Sequence, residues 1–358
     1  MSTEHAATVY IPPTLDRNAI APWPDEGFAE FFHHGERFKR VMKEVFDEDF
    51  SYRILFQREA QTFSPRLSGA QRRKAAYVNE PFIPFVVFDS SESLHFASAA
   101  QYAWQSVRKP YSKAYLCEIH RRLFPSMSAS GRFRRTAAWL GPRRSKDRND
   151  AIMTFASPEQ LAPGFKGLES FADVVPATHR LAACAMIHLQ FVSLHPFFDG
   201  NGRVARVMTP LLLRHYGLLD DMCLFVSDIL SANRREYYAR LESAQLWNEV
   251  DAWVRFFVRS LCLQFERHIE AIRCAQSVRC GVVNSISGIA GKNTQRLVDE
   301  AILSPTLSLS RIAGLLGLST PAARDVASAL TDRFGFGLIS DADDPVYQFR
   351  DVYAMLAL

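Results

Sequence analysis

The chain has 358 residues, of which 48% are hydrophobic and 22% charged, a balance that is ordinary for a globular protein with room for two or three cores. Its net charge of +4, from 42 basic and 38 acidic side chains, is too small by itself to indicate binding to nucleic acid or membranes. The N-terminus lacks the continuous apolar stretch of a signal peptide, and no apolar run approaches the roughly 18 residues of a membrane helix. The cysteines are scattered without a C-x-x-C pair, so we expect reduced thiols in a cytoplasmic protein.

The N-terminal part of the chain, over residues 1–104, predicts an extended arm followed by a helical region. Residues 1 to about 25 are punctuated by prolines, and apolar residues then recur at helical spacing from Phe28 to about Phe46. The run 81–88 is too short and too proline-broken for a helix, so it predicts a buried strand or a loop. Helical spacing returns from about Leu94 to Val107.

The next part of the chain, over residues 105–272, predicts a helical core that carries a short hairpin. Ser112 can cap a helix that runs through Leu123. Two short segments of β-forming residues, Thr136–Leu140 and Ala151–Phe155, flank a basic Gly- and Pro-containing turn and predict a hairpin. Apolar patterns predict four more helices, over Pro176–Leu194, Val204 to about Tyr216, about Asn233–Ala244 and Val250–Ile272.

The C-terminal part has a different pattern. Residues 273–293 contain several Gly, Ser and Asn residues and predict a linker. Over residues 294–358, a helix from Leu309, a glycine turn, a second helix over Thr320–Leu330 and a hairpin over Gly335–Phe349 predict a winged helix-turn-helix.

The polar run from Asp199 to Arg203 stands between two apolar helices, at the start of the second one. A helix N-terminus presents unpaired N–H groups and the positive end of the helix dipole, which suits a phosphate. The two glycines around Asn201 let the backbone turn tightly and approach a ligand. The arginines Arg203 and Arg206 are three residues apart, so both can reach the same polyphosphate.

Two further side chains complete the chemistry of this run. Asp199 is a hard oxygen ligand of the kind that Mg²⁺ on a nucleotide prefers. His195 can accept a proton near neutral pH. A base, a metal ligand, an anion cradle and two guanidinium groups within twelve residues indicate phosphoryl or nucleotidyl transfer.

The run His195–Arg206 resembles the signature of the Fic (filamentation induced by cAMP) family, H-x-F-x-[DE]-G-N-G-R-x-x-R, at every constrained position. Flanking segments resemble the same family, so that the likeness covers roughly residues 105–265. They are Glu118–Phe124, Gly131–Arg134, Ala183–His188 and Ser231–Tyr238. The implied fold is a mainly α-helical Fic bundle with a β-hairpin flap, to which the winged tail is attached as in many longer members.

The resemblance implies a protein adenylyltransferase, which transfers AMP from Mg·ATP to a hydroxyl group of a target protein. His195 is then the general base, Asp199 holds Mg²⁺, and Phe197 packs inward to anchor the loop. The phosphates are assigned to Gly200, Asn201, Gly202, Arg203 and Arg206, and the border of the adenosine site to Asn233, Tyr237 and Tyr238. The target protein docks as an added strand on the flap near 136–155.

The chain departs from many family members at one point, because it contains no match to the self-inhibitory motif [ST]-x-x-x-E-[GN]. The nearest candidate by position, Ser90–His95, has Leu94 and His95 where Glu and Gly or Asn would stand. Three alternatives stay open: a separate inhibitory partner, another inhibitory element in the chain, or no restraint of this kind. Homodimers are common in the family, so a second copy of the chain is another expected partner.

Two other functions stay open at this stage. Family members also transfer UMP, phosphate or phosphocholine, or remove AMP, and these reactions are not separated by the signature. A protein of another class, a DNA-binding regulator with a nucleotide-sensing core, is the second alternative. DNA is the weaker expectation, because Thr320–Leu330 contains a single basic residue, Arg324, and phosphate contacts dominate DNA affinity.

Overall fold

The computed structural model is mostly helical, with short β-hairpins, as the sequence predicts. It describes residues 25–63, 76–80, 83–88, 91–105, 109–140, 153–220, 223–290, 293–304, 306–331, 336–341 and 343–349. The predicted N-terminal arm and the turn of the predicted flap hairpin lie outside these ranges. Within them, no helix combines the length and the apolar character that crossing a bilayer requires.

Helices account for most of the described chain. They are α1 (Asp25–Val45), α2 (Glu48–Phe63), α3 (Ser91–Gln105), α4 (Lys113–Leu123), α5 (Pro158–Ala172), α6 (Arg180–Leu194), α7 (Asn201–His215), α8 (Ser227–Ala232), α9 (Arg234–Trp247), α10 (Val250–Ala290), α11 (Thr294–Leu303), α12 (Leu309–Leu316) and α13 (Thr320–Thr331). The strands are β1 (Ala76–Glu80), β2 (Ile83–Phe88), β3 (Trp139–Leu140), β4 (Met153–Thr154), β5 (Thr306–Ser308), β6 (Phe336–Ser340) and β7 (Val346–Phe349).

The residues pack into two compact units. The first contains residues up to Gly35 and His95–Gln264, and the second contains Glu36–Leu94 and Phe265–Leu358. In the first unit α6 is the central helix, because every residue from Leu181 to Leu194 is buried. A helix that is apolar all round is surrounded by other elements, and α5 and α7 both pack against α6.

The predicted flap hairpin forms a short antiparallel ladder in which Trp139 pairs with Thr154 and Leu140 with Met153. Each strand has two residues, so the paired segments are shorter than the sequence predicts. The hairpin ends next to the helical core, since the N–H of Ala156 donates to the carbonyl of Ser193 in α6.

In the second unit, α2 was not predicted. Its residues Ile54 to Ala60 are all buried, although they include Gln57, Arg58 and Glu59. Burial on several sides removes the amphipathic period from the sequence, so the pattern gave no helical signal. The run 81–88 contains strand β2, which pairs antiparallel with β1 and agrees with the expected strand.

The end predicted for α10 at Ile272 is wrong, because the helix continues to Ala290 through most of the expected linker. The glycines in this stretch cost only about 1 kcal/mol each in a helix, and no proline interrupts it. Burial of Ala275 and Val282 stabilises the extension. Arg279 adds a bidentate ion pair with Asp299, at 2.6 and 2.9 Å.

The C-terminal elements lie where the pattern predicts them. The hydroxyl of Ser308 caps α12 by accepting from the N–H of Arg311, and α12 ends at Gly317 with φ at +67°. After α13, strands β6 and β7 form the predicted hairpin, and β5 adds an unpredicted third strand in the order β5-β7-β6. The assignment of this part as a winged helix, and the division of the chain at residues 104, 272 and 293, stay predictions.

Candidate active site

The loop between α6 and α7 is closed at both ends by left-handed residues. His195 follows α6 with φ 49° and ψ 58°, and Gly200 precedes α7 with φ 83°. A left-handed conformation is unfavourable for a residue with a side chain, so the surroundings of His195 must hold it there. The loop thus places His195 at the end of α6, six residues before the start of α7.

The imidazole of His195 has a defined orientation. It stacks on Phe155, with ring centroids 3.8 Å apart and planes 8° apart. Its Nδ1 lies 3.2 Å from the carbonyl oxygen of Val192, which can only accept, so Nδ1 carries the proton and Nε2 is the basic nitrogen. Burial lowers the pKa of His195 from 6.5 to about 4, so the ring is neutral at physiological pH.

Arg134, to which the sequence analysis gave no role, holds the backbone around His195. The guanidinium is buried and donates to carbonyls before and after the flap and at the end of α6. The acceptors are His195 (2.7 Å), Thr136 (2.7 Å), Leu194 (3.1 Å) and Ala156. The backbone N–H of Arg134 also donates to the carbonyl of Pro196 at 2.8 Å. One side chain therefore ties the flap to the loop.

The inside of the loop is fixed by Asn201 and Phe197. The Asn201 side chain accepts from the N–H of Phe197 and donates to its carbonyl, both at 2.8 Å. The Phe197 ring is fully buried and stacks on His120 at 4.0 Å. The side chains of Asn201 and Phe197 both make their contacts inside the protein. Asn201 can therefore bind a ligand through its backbone N–H.

His120 supports the same loop from α4, and the sequence analysis quoted it without a role. Its Nδ1 accepts from the N–H of Gly131 at 2.9 Å, so Nε2 carries the proton and donates to the carbonyl of Asp199 at 3.0 Å. Burial lowers the pKa of His120, which favours this neutral form. His120 thereby fixes the backbone of Asp199.

The charged side chains lie at the α7 end of the loop. Arg203 is placed over the ring of Phe124, with the guanidinium carbon 4.4 Å from the centroid, and Arg206 lies on the next turn of the helix. The carboxylate of Asp199 accepts from the N–H of Gly200 at 2.6 Å and belongs to an exposed residue. The first N–H groups of α7, at Asn201 and Gly202, have no acceptor within a helix. Together these groups form a site suited to an anion.

The three residues that the resemblance assigns to the adenosine border lie at the start of α9. The hydroxyl of Tyr237 donates to Nε2 of His188 at 3.0 Å, while Nδ1 of His188 donates to Thr209 at 2.9 Å. Tyr238 follows Tyr237 and is half-buried. Asn233 immediately precedes α9, and its carbonyl accepts from the N–H of Tyr237 at 2.9 Å, so it lies one helical turn before Tyr237.

The buried His188 predicts a pH dependence of stability. Burial lowers its pKa from 6.5 to about 3, so below pH 6.5 the unfolded chain takes up a proton that the folded protein does not. The contribution of neutral, buried His188 to the free energy of unfolding is therefore complete above pH 6.5 and decreases as the pH falls toward 3. In His188→Gln the free energy of unfolding is expected to depend less steeply on pH, by up to about 1.4 kcal/mol per pH unit. Urea unfolding from pH 7 to pH 4 measures the difference, and parallel curves would contradict it.

Gly200 predicts a second effect on stability. A Cβ at this position would lie 2.2 Å from the ring of Phe124, and the positive φ disfavours any side chain. For Gly200→Ala we expect a loss of about 1–2 kcal/mol from the backbone and about 1–3 kcal/mol from the clash. Gly202→Ala is the matched control, since its Cβ would meet only the end of Arg206 at 3.6 Å. Equal unfolding free energies for the two variants would disprove this explanation.

The fold and the site define a helical domain whose central helix leads into a loop with a base and a place for an anion. Residues 110–213 match the family model described as the Fic/DOC family. Within the described residues, no three His, Cys, Asp or Glu side chains are grouped as a metal site.

Curated relatives match less than half of the chain. It is 31% identical over 164 residues to the protein adenylyltransferase Fic of Culex quinquefasciatus, and 28% identical over 169 residues to the protein adenylyltransferase fic-1 of Caenorhabditis briggsae. These matches cover 45% and 44% of this chain but 29% of each relative, so the chain spans less than a third of their length. A Fic family protein from Desulfovibrio desulfuricans G20 has a similar fold, with a TM-score of 0.53 at 17% identity over 95% of this chain and 98% of that one.

Proposed function

We propose that this protein transfers AMP from Mg·ATP to a hydroxyl side chain of a target protein, with His195 as the general base. The observation that carries the proposal is the fixed tautomer of His195, whose Nδ1 is committed to the Val192 carbonyl. Its Nε2 is therefore the basic atom, beside a helix N-terminus that carries Arg203 and Arg206. Relatives named protein adenylyltransferases support the same reaction.

In this reaction Nε2 of His195 accepts the proton of the target hydroxyl as its oxygen attacks the α-phosphorus of ATP. A bond forms between that oxygen and the α-phosphorus, and the bond to the bridging oxygen breaks, so pyrophosphate leaves with the electron pair. Arg203, Arg206 and the first N–H groups of α7 would hold the phosphates and stabilise the charge that develops on them.

The nucleotide is proposed to bring Mg²⁺ with it. Asp199 offers an exposed carboxylate beside the proposed phosphate site, and no cluster of further acidic, His or Cys ligands accompanies it among the residues described. Mg²⁺ is commonly held by one or two carboxylates together with substrate phosphates and water, so a single carboxylate fits this ion. Tyr237 and Tyr238 are proposed to border the adenosine, with Tyr237 fixed by His188.

The target is proposed to dock on the flap. Strands β3 and β4 form an isolated two-stranded ladder, whose edges can pair with an extended segment of another protein. The ladder leads into Phe155, on which His195 stacks, so a segment paired there would bring its hydroxyl toward the base. Since the inhibitory motif is missing from the sequence, a separate inhibitory protein is a further proposed partner.

Intact mass spectrometry tests the transferred group. The purified chain is incubated with Mg²⁺, host lysate and either ATP, UTP or CDP-choline, and labelled proteins are compared with a His195→Ala reaction. We expect a target protein to gain the mass of AMP in the reaction with ATP, and no protein to gain mass in the reactions with UTP or CDP-choline. An added UMP, phosphate or phosphocholine would replace this proposal with one of the other transfers known in the family. DNA binding is not proposed, because α13 carries Arg324 as its single basic residue.

A further inference from the structure

A second concave site lies in the first unit, between α9 and α10. Its volume is about 310 Å³, and its walls are formed by residues that recur at helical spacing on the two helices. They are Asn233, Glu236 and Arg240 from α9, with Ala252, Arg255, Phe256, Arg259, Ser260 and Leu263 from α10. None of them belongs to the Fic signature, and Asn233 is the one lining residue that the resemblance assigns to the border of the adenosine site.

The hollow is on a different side of α9 from Gln245, which contacts α6 close to His195. Gln245 marks the side near His195, because its amide donates to the hydroxyl of Ser193 at 2.8 Å. Asn233, Glu236 and Arg240 follow one another at intervals of three and four residues, which places them on one stripe of the helix. Gln245 is five residues beyond Arg240, well apart from that stripe around the helix.

The hollow is positively charged. Three arginines line it, against one glutamate, and the ion pair between Arg240 and Glu236 is long, at 3.5 Å, and solvent-exposed. Arg255 and Arg259 are four residues apart on α10, so both line the same wall of the hollow.

The floor of the hollow is apolar. Phe256 is 8% exposed and Leu263 is 42% exposed, so one ring is packed in the core and one aliphatic side chain is open to a ligand. Guanidinium groups bind phosphate through paired N–H donors, and pockets of about 300 Å³ or more accommodate small ligands. We propose that the hollow binds a small phosphorylated molecule, with its phosphate between Arg255, Arg259 and Arg240 and its apolar body on Phe256 and Leu263.

Calorimetric titration with phenyl phosphate tests this site. All titrations use a parent variant of the full chain with Arg203→Gln and Arg206→Gln, so that the proposed nucleotide site contributes little. We expect saturable binding to this parent, weaker by about tenfold or more after Arg259→Gln or Arg240→Gln, as for the loss of a charged hydrogen bond. The control substitutions Arg235→Gln and Arg273→Gln change exposed arginines on α9 and α10 outside the hollow and should leave the affinity unchanged.

Several outcomes would overturn the proposal. They are the absence of saturable binding in the parent, an unchanged affinity after Arg259→Gln, and an equal loss with the control substitutions. Inorganic phosphate should bind less tightly than phenyl phosphate, and equal affinities would refute the role of the apolar floor. Tighter binding of a tyrosine-phosphorylated peptide would assign the hollow to a protein partner instead. Thermal unfolding of each variant verifies that the fold is kept, and none of these outcomes depends on transfer activity.

Discussion

His195→Ala is expected to lower the rate of AMP transfer by about 10²–10⁴-fold, the usual contribution of a general base. The loss should appear in kcat rather than in the affinity for ATP, because the proposed phosphate ligands are on α7 and stay in place. Single-turnover transfer and separate nucleotide-binding measurements distinguish the two. His179→Ala is the matched control, since His179 is only half-buried and precedes α6, at the end of that helix away from the loop. A variant that retains more than about a tenth of the activity would contradict the role of His195.

The pH profile of the wild-type chain provides an independent check on the same residue. A base works in its neutral form, and the pKa of His195 is lowered from 6.5 to about 4. The proposed base therefore stays neutral as the pH falls below 6.5. We expect kcat/KM to fall only near pH 4, where His195 becomes protonated. Transfer measured between pH 5 and pH 8 tests this, and a decline centred on pH 6.5 would show an unperturbed histidine instead.

Arg134→Gln is expected to reduce the free energy of unfolding by about 3 kcal/mol or more, because several buried carbonyls lose their donor at once. The four carbonyls belong to residues before the flap, after the flap and at the end of α6, where the loop begins. Arg134→Lys should recover only part of this loss, since an ammonium is a point charge and lacks the planar fork that reaches diverging acceptors. Transfer activity should fall as well, because the Arg134 guanidinium donates to the carbonyl of His195 and fixes the backbone of the proposed base.

Urea unfolding of the two Arg134 variants measures this effect. Arg135→Gln is the control, as Arg135 is the adjacent arginine and is exposed. A loss below about 1 kcal/mol, which is the size of one ordinary hydrogen bond, would show that Arg134 does not hold the loop.

The position of the loop between two helices could be predicted from the sequence because its pattern is local. His195, Asp199 and Arg203 are close in the chain, and a glycine turn that opens a helix has its own pattern. The roles of Arg134 and His120 could not be predicted in the same way, since their hydrogen bonds join segments 61 and 79 residues apart. The segments Gly131–Arg134 and Glu118–Phe124 were visible as part of the resemblance, but spacing alone does not show which carbonyls they contact.

The errors in secondary structure have a physical cause as well. Periodicity detects a helix with one apolar face, such as α1, and misses α2, which is buried on several sides. In α10 the glycine and serine residues after Ile272 predict a linker, yet tertiary contacts such as the Arg279–Asp299 pair stabilise a helix there. Local composition was thus overridden by packing that only the folded chain reveals.

The central claim, AMP transfer from ATP, is tested most directly by the position of the transferred label. The purified chain is incubated with Mg²⁺, host lysate and ATP that carries ³²P at either the α- or the γ-phosphate, and proteins are separated on a denaturing gel. We expect a labelled target with α-³²P and none with γ-³²P, because pyrophosphate leaves with the γ-phosphate. Labelling from γ-³²P in a His195-dependent manner would identify a kinase-like phosphate transfer and contradict the account.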